Sequence, residues 1–176
     1  MAATGEPPNR PPVAARARRG ALDEVLAQLA RTMEQLESAI RVFPPQFNLA
    51  AFADAWRSGS PELRNRAMLV RSNMDDLHNL CNTLIALSVR VAQDSGAIPA
   101  DRRTPVGDQL KAQRLYSKGA EEVMREVADL RNSSQHEYWV LEPEQVHAAV
   151  NRQRQHLPSF IADVGAWIES LTDRRA

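Results

Sequence analysis

Between Pro61 and Ala92 the apolar residues Leu63, Ala67, Val70, Met74, Leu77, Leu80, Cys81, Leu84, Leu87 and Val91 recur every three or four positions. That spacing lays them along one face of a single long α-helix, and the rest of the chain has to pack around it. Ser60-Pro61 marks its start. A serine side chain accepts from an otherwise unpaired first-turn amide, and a proline in that turn has no amide to satisfy. Ser95-Gly96 marks its end, because glycine accepts the left-handed turn that closes a helix.

The flanking segments carry the same period. Leu22, Val25, Leu26, Leu29, Met33, Leu36 and Ile40 form a stripe that stops before Pro44-Pro45, since proline bars its predecessor from helical geometry. Phe52 and Trp56, one turn apart, predict a short helix. After a Pro- and Arg-containing loop to about Pro105, one helical pattern runs through Leu110, Leu115, Val123, Met124, Val127 and Leu130. A last one runs from Pro143 to Leu171, with Pro158 inside it and a kink or break expected near Leu157. No segment alternates with period two for long enough to make a strand. The expected fold is all-α, an up-and-down bundle of four main helices plus a short one. It should occupy residues 20–174 as one domain. Residues 1–19, with Pro7, Pro8, Pro11, Pro12 and four arginines, read as a disordered basic tail.

Composition narrows function mainly by exclusion. Lys+Arg and Asp+Glu balance at 22 each, so no global positive field draws the chain onto nucleic acid, and any such contact must be local. Lys111 and Lys118 are the only lysines among the 22 basic residues. A GC-rich genome accounts for that bias, and so does phosphate recognition, because a guanidinium can bond an oxyanion bidentately. The lone Cys81 sits among Leu80, Leu84 and Ile85 and reads as a buried thiol. No apolar run approaches the roughly 18 residues of a membrane span, and no secretory apolar stretch opens the chain; a cytoplasmic protein without membrane partners is expected. Gly-rich phosphate loops, Cys/His metal spacings and serine nucleophile elbows are all missing.

One polar island interrupts the apolar pattern between Leu130 and Trp139: Arg131-Asn132-Ser133-Ser134-Gln135-His136-Glu137-Tyr138. A polar helix end capped by Asn and Ser would account for it without any chemistry. His147 and His156 read as solvated or interface positions. Arg71 and His78, nearly on one helix face, form a competing Arg–His pair, with Asp75 one turn on as the simpler ion-pair partner of Arg71.

The island resembles the Arg-x4-His-x-Tyr signature of the HEPN family, specifically the HepT type of ribonuclease toxin from the HepT/MntA (HEPN/MNT) toxin–antitoxin systems. The helix order over roughly residues 20–171 is also similar to the family layout. The resemblance implies an RNA endonuclease that needs no metal or other cofactor, with Arg131 and His136 as catalytic residues. It implies that Asn132 and Tyr138 serve substrate binding or modification. It further implies a homodimer with a composite site, and a nucleotidyltransferase antitoxin that silences the toxin by AMPylation of Tyr138.

The residue types suit that chemistry. Cutting RNA through its own 2′-hydroxyl needs a proton taken from that hydroxyl and one given to the leaving 5′-oxygen. Histidine titrates near neutrality and can do either. Arginine supplies permanent charge for the developing oxyanion. Five residues of unbroken helix turn about 500°, so Arg131 and His136 would stand about 140° apart. Either the helix is distorted there or two copies of the motif meet. The alternatives to a ribonuclease are a non-catalytic HEPN-type module that binds nucleotide, RNA or protein, and a plain helical adaptor.

Overall fold

The computed structural model describes residues 13–57, 59–136 and 141–173, the side chains of 133–136 and 172–173 excepted. Among the described residues all regular structure is helical: α1 Val13–Ile40, α2 Leu49–Arg57, α3 Pro61–Asp94, α4 Val106–Ala112, α5 Lys118–His136 and α6 Pro143–Asp173.

α3 is the central element that its stripe predicts. Ser60 caps it, its Oγ accepting the Leu63 amide at 3.3 Å, with Pro61 in the first turn. Gly96 follows the helix at φ 71°, the left-handed geometry that costs glycine little. Ala67, Val70, Met74, Cys81 and Leu84 are completely buried, and a leucine taken fully out of water contributes roughly 1.5–3 kcal/mol.

α1 lies antiparallel to α3. Leu22, Leu29 and Leu36 bury its inner face, and Arg18 near its start grips Asp94 at the end of α3 through two hydrogen bonds of 2.7 and 2.9 Å. The helix therefore begins upstream of the boundary expected at residue 20. Arg19 likewise reaches α6, donating to the Ile168 carbonyl at 3.1 Å. Composition alone assigns these arginines to a tail because it cannot see partners on helices so distant in sequence.

α6 closes the bundle against α1, α3 and α5. Gln153 is buried and donates to the Met74 carbonyl of α3 at 3.0 Å. Arg154 holds Glu37 of α1 at 2.6 and 3.1 Å. Pro158 does not break the helix. Its lost amide bond and ring clash cost about 3 kcal/mol or more, and the burial of Leu157, Phe160, Val164 and Ile168 around it outweighs that.

The connection from α1 to α2 docks through rings. Phe43, Phe47, Phe52 and Trp56 pack edge-on or tilted against one another, and His147 of α6 lies 4.5 Å from Phe47 ring to ring. The His147 Nε2–H donates to the Phe47 carbonyl at 2.7 Å. His147 is thus an interface residue, one of the two roles its sequence position suggests.

The continuous helical pattern expected from Leu110 to Leu130 is two helices. Arg114 adopts φ 61° between them, and Ser117 caps α5 by accepting the Ala120 amide at 3.2 Å. Apolar period carried the expectation across this gap because Leu110 and Leu115 both pack on the core from either side of the turn. Among the described residues the bundle comprises six helices, α4 included.

Candidate active site

α5 presents its apolar face to α3 and α6 through Ala120, Val123, Met124 and Val127. One turn past Val127 the pattern becomes polar at Arg131. Its side chain, 32% exposed, turns back onto α3. There Nη1 donates to the Asn79 Oδ1 at 2.8 Å, and Nε stands 3.9 Å from the Asp75 Oδ1. Asp75 and Asn79 are one turn apart on α3; the guanidinium is hydrogen-bonded to Asn79, with Asp75 at the edge of ion-pair distance.

The surroundings shape the charges at this seat. Burial pushes the Asp75 carboxyl above its ordinary value, Arg71 and then Arg131 pull it down, and Asp76 raises it again. His78, packed on the inner side of the same turn, is buried. Its pKa is lowered, first by burial and then by the positive charge of Arg131, so the ring is neutral at neutral pH. The His78 Nε2 lies 2.9 Å from the Asn82 Nδ2; accepting from that amide puts its proton on Nδ1.

The competing Arg71–His78 pair is therefore not a separate site. Arg131 acts on His78, and Asp75, which α3 alone would pair with Arg71, also carries the ion pair to α5. His78 is buried and within electrostatic reach of Arg131. Cys81, one turn further, is buried with its thiol pushed up to about 12 by desolvation, which leaves it protonated and unreactive.

Of the other site residues expected from the sequence, Asn132 is exposed beside Arg131. The backbone of α5 continues as helix through residue 136, while the side chain of His136 and all of Tyr138 lie outside the described residues. Helix continuity matters for register: positions 131 and 136 differ by about 140° around the axis. Among the described residues the backbone of α5 is α-helical from Arg131 to residue 136.

Asp75 and Asn79 are the partners of Arg131 that the sequence did not show as such, Asp75 being read there only as a partner of Arg71. Both sit on the polar side of α3, 56 and 52 positions before Arg131. Only their i, i+4 spacing hints that they act together, and nothing in it names an arginine on another helix as the partner.

Among the described residues no helix is long and apolar enough to cross a membrane. The profile of the HepT-like family, described as "Ribonuclease HepT-like", matches residues 55–164. That span runs from the end of α2 through α3, α4 and α5 into α6, and it contains Asp75, Asn79, Arg131 and His136. No curated protein and no solved structure matches the chain. Covering more than half of the sequence and the entire polar island, the profile match makes the chain a member of the HepT-like ribonuclease family.

Proposed function

We propose that this protein is a metal-independent RNA endonuclease, the toxin of a cytoplasmic toxin–antitoxin pair. The observation that carries the reading is the seating of Arg131. A guanidinium one-third exposed at the polar end of α5, hydrogen-bonded to Asn79 with Asp75 at the edge of ion-pair distance, offers permanent charge at a fixed place. It stands in the matched segment of a ribonuclease family.

In the proposed reaction the 2′-oxygen attacks the adjacent phosphorus and loses its proton to a base. The P–O5′ bond breaks, and the leaving 5′-oxygen takes a proton, giving a cyclic phosphate and a free 5′-hydroxyl. His136 is assigned the proton transfers, which a positioned acid–base group accelerates on the order of 10²–10⁴-fold. Arg131 is assigned the charge on the phosphorane. Asn132 and Tyr138 are assigned to holding the phosphate, and Tyr138 to modification by a nucleotidyltransferase antitoxin. AMP there adds negative charge and bulk where an anionic substrate must sit.

Two copies are part of this reading. With 131 and 136 about 140° apart on a regular helix, one phosphate is reached more readily by Arg131 of one copy and His136 of another across a two-fold axis. The test is cleavage of RNA in chelator by protein freed of any antitoxin, with Tyr138 confirmed unmodified. Wild type should cut and leave cyclic phosphate ends, while Arg131→Ala and His136→Ala should not. Equal inertness of all three would leave a binding module as the better reading.

A further inference from the structure

A second cluster of arginines lies on the same side of α3 as the Arg131 seat. Arg18, Arg90 and Arg102 border an open cavity of about 580 Å³ between the start of α1, the last turns of α3 and the loop before α4. The carboxylates there are already engaged. Asp94 is held by both hydrogen bonds from Arg18, and the Asp101 Oδ1 accepts the Arg103 and Thr104 amides at 2.7 and 3.2 Å. Arg90 and Arg102 are exposed and, among the described residues, have no carboxylate within ion-pair distance.

The loop that carries Arg102 is fastened in place. The Gln109 Nε2 donates to the Asp101 and Thr104 carbonyls at 3.0 and 2.8 Å, and the Gln93 Nε2 donates to the Gln109 Oε1 at 2.9 Å. Two uncompensated guanidiniums on a braced rim suit a phosphate, whose oxygens accept from such forks bidentately.

Position along α3 ties this cavity to the first site. Arg90 follows Asn79 by eleven residues, which is about 16 Å of rise and only about 20° of rotation. Between them Thr83 is exposed and Ala86 half-buried on the same face. An open strip of helix therefore connects the seated Arg131 to the arginine cavity over a distance that a few nucleotides span.

We propose that the Arg90–Arg102 cavity is a second phosphate subsite, holding the backbone of the RNA a few nucleotides from the phosphate placed at Arg131; it rests on the ribonuclease reading above. Sequence-independent grip away from the scissile bond is how a chain of zero net charge obtains local affinity for a polyanion.

The test measures binding of a 2′-O-methyl single-stranded oligonucleotide, which cannot be cut, against salt concentration. For single strands the slope of log affinity on log salt falls in magnitude by about 0.7 for each phosphate contact removed. The Arg90→Ala/Arg102→Ala protein should lose at least that much slope and bind about tenfold or more weakly at low salt. Arg90→Lys should keep the slope, since the charge remains, and Arg31→Ala on exposed α1 should change nothing. A dinucleotide, too short to bridge the two sites, should bind wild type and the double variant at the Arg131 end alike. Equal slopes for wild type and the double variant, or no binding of the long oligonucleotide by wild type, would overturn the subsite. Cleavage is read separately. If wild type never cuts but the slope change is found, the ribonuclease reading falls and the subsite stands; if it cuts and the slopes agree, only the subsite falls.

Discussion

The Arg131 Nη1 donates to the Asn79 Oδ1 at 2.8 Å, so the arginine of the polar island on α5 is aimed by an amide on the central helix. Asn79→Ala removes that aim without touching the charge. Losing the aim of a charged group should lower cleavage by about tenfold or more, since small misplacements of catalytic groups cost rate steeply. The melting temperature should barely move, because the side chain of Asn79 is exposed. Unchanged turnover at unchanged stability would show that Arg131 does not need this seat.

Asp75 sets stability against activity. Burial raises its carboxyl pKa despite the pull of Arg71 and Arg131, so ionising it costs the folded state more than the unfolded one. The penalty is absent in acid, below the ordinary carboxylate range, and fully present at neutral pH. Asp75→Asn should therefore match wild type in acid and be as stable or more stable at neutral pH. It should also cut RNA more slowly, because Arg131 loses its counter-charge. A protein destabilised at neutral pH would mean that the ion pair outweighs desolvation here.

His78 predicts loss of stability on mild acidification. Its pKa is lowered by burial and by Arg131, so the unfolded chain binds the proton more readily than the folded one. Its contribution is present above the ordinary 6.5 and is lost as pH falls through the depressed folded value. Denaturant midpoints measured from neutral pH down into the acid range should fall for wild type, and less steeply for His78→Gln. Parallel curves would place the acid sensitivity elsewhere.

Gly119 tests the contact between α5 and α6. Replacing a helical glycine by alanine ordinarily stabilises by up to about 1 kcal/mol. A Cβ at 119, however, would lie 2.5 Å from the His156 Nδ1 and 3.0 Å from its Cγ, so the whole ring must move. Gly119→Ala should lower the melting temperature, and adding His156→Ala should turn the loss into a gain. A stabilised single variant would show that the ring swings away freely.

Mixed protein tests the composite site. Arg131→Ala and His136→Ala chains, each inactive alone, would restore one intact site in a mixed dimer if each site takes one residue from each copy. Random pairing makes half the dimers mixed with one of two sites whole, so about a quarter of wild-type activity should return on mixing. No recovery, with exchange of subunits verified, would argue for both residues acting within one chain or for four required together.

Much of this architecture is legible in the sequence because it depends on local periodicity. The stripe from Leu63 to Val91, the Ser60-Pro61 start and the Ser95-Gly96 stop read directly as α3, since capping and amphipathic spacing act within a few residues. The turn at Arg114 was not legible. Leu110 and Leu115 face the core on both sides of it, so hydrophobic spacing continues where the backbone does not. Pro158 misleads the other way, because local chemistry calls for a break that burial of Leu157 and Phe160 overrides.

What the sequence by itself determined is the helical class, the central helix and the polar island with Arg131 and His136, all of which are runs of neighbouring residues. Only the tertiary structure decided that Asn79 and Asp75 partner Arg131, that buried His78 lies within its electrostatic reach, and that Arg18 joins α3 rather than a tail. Those relationships join residues on different helices, 52 to 76 positions apart. A side chain's partner at such range is set by which helix faces meet in the bundle, and that is a property of the packed whole, which no local window of residues contains.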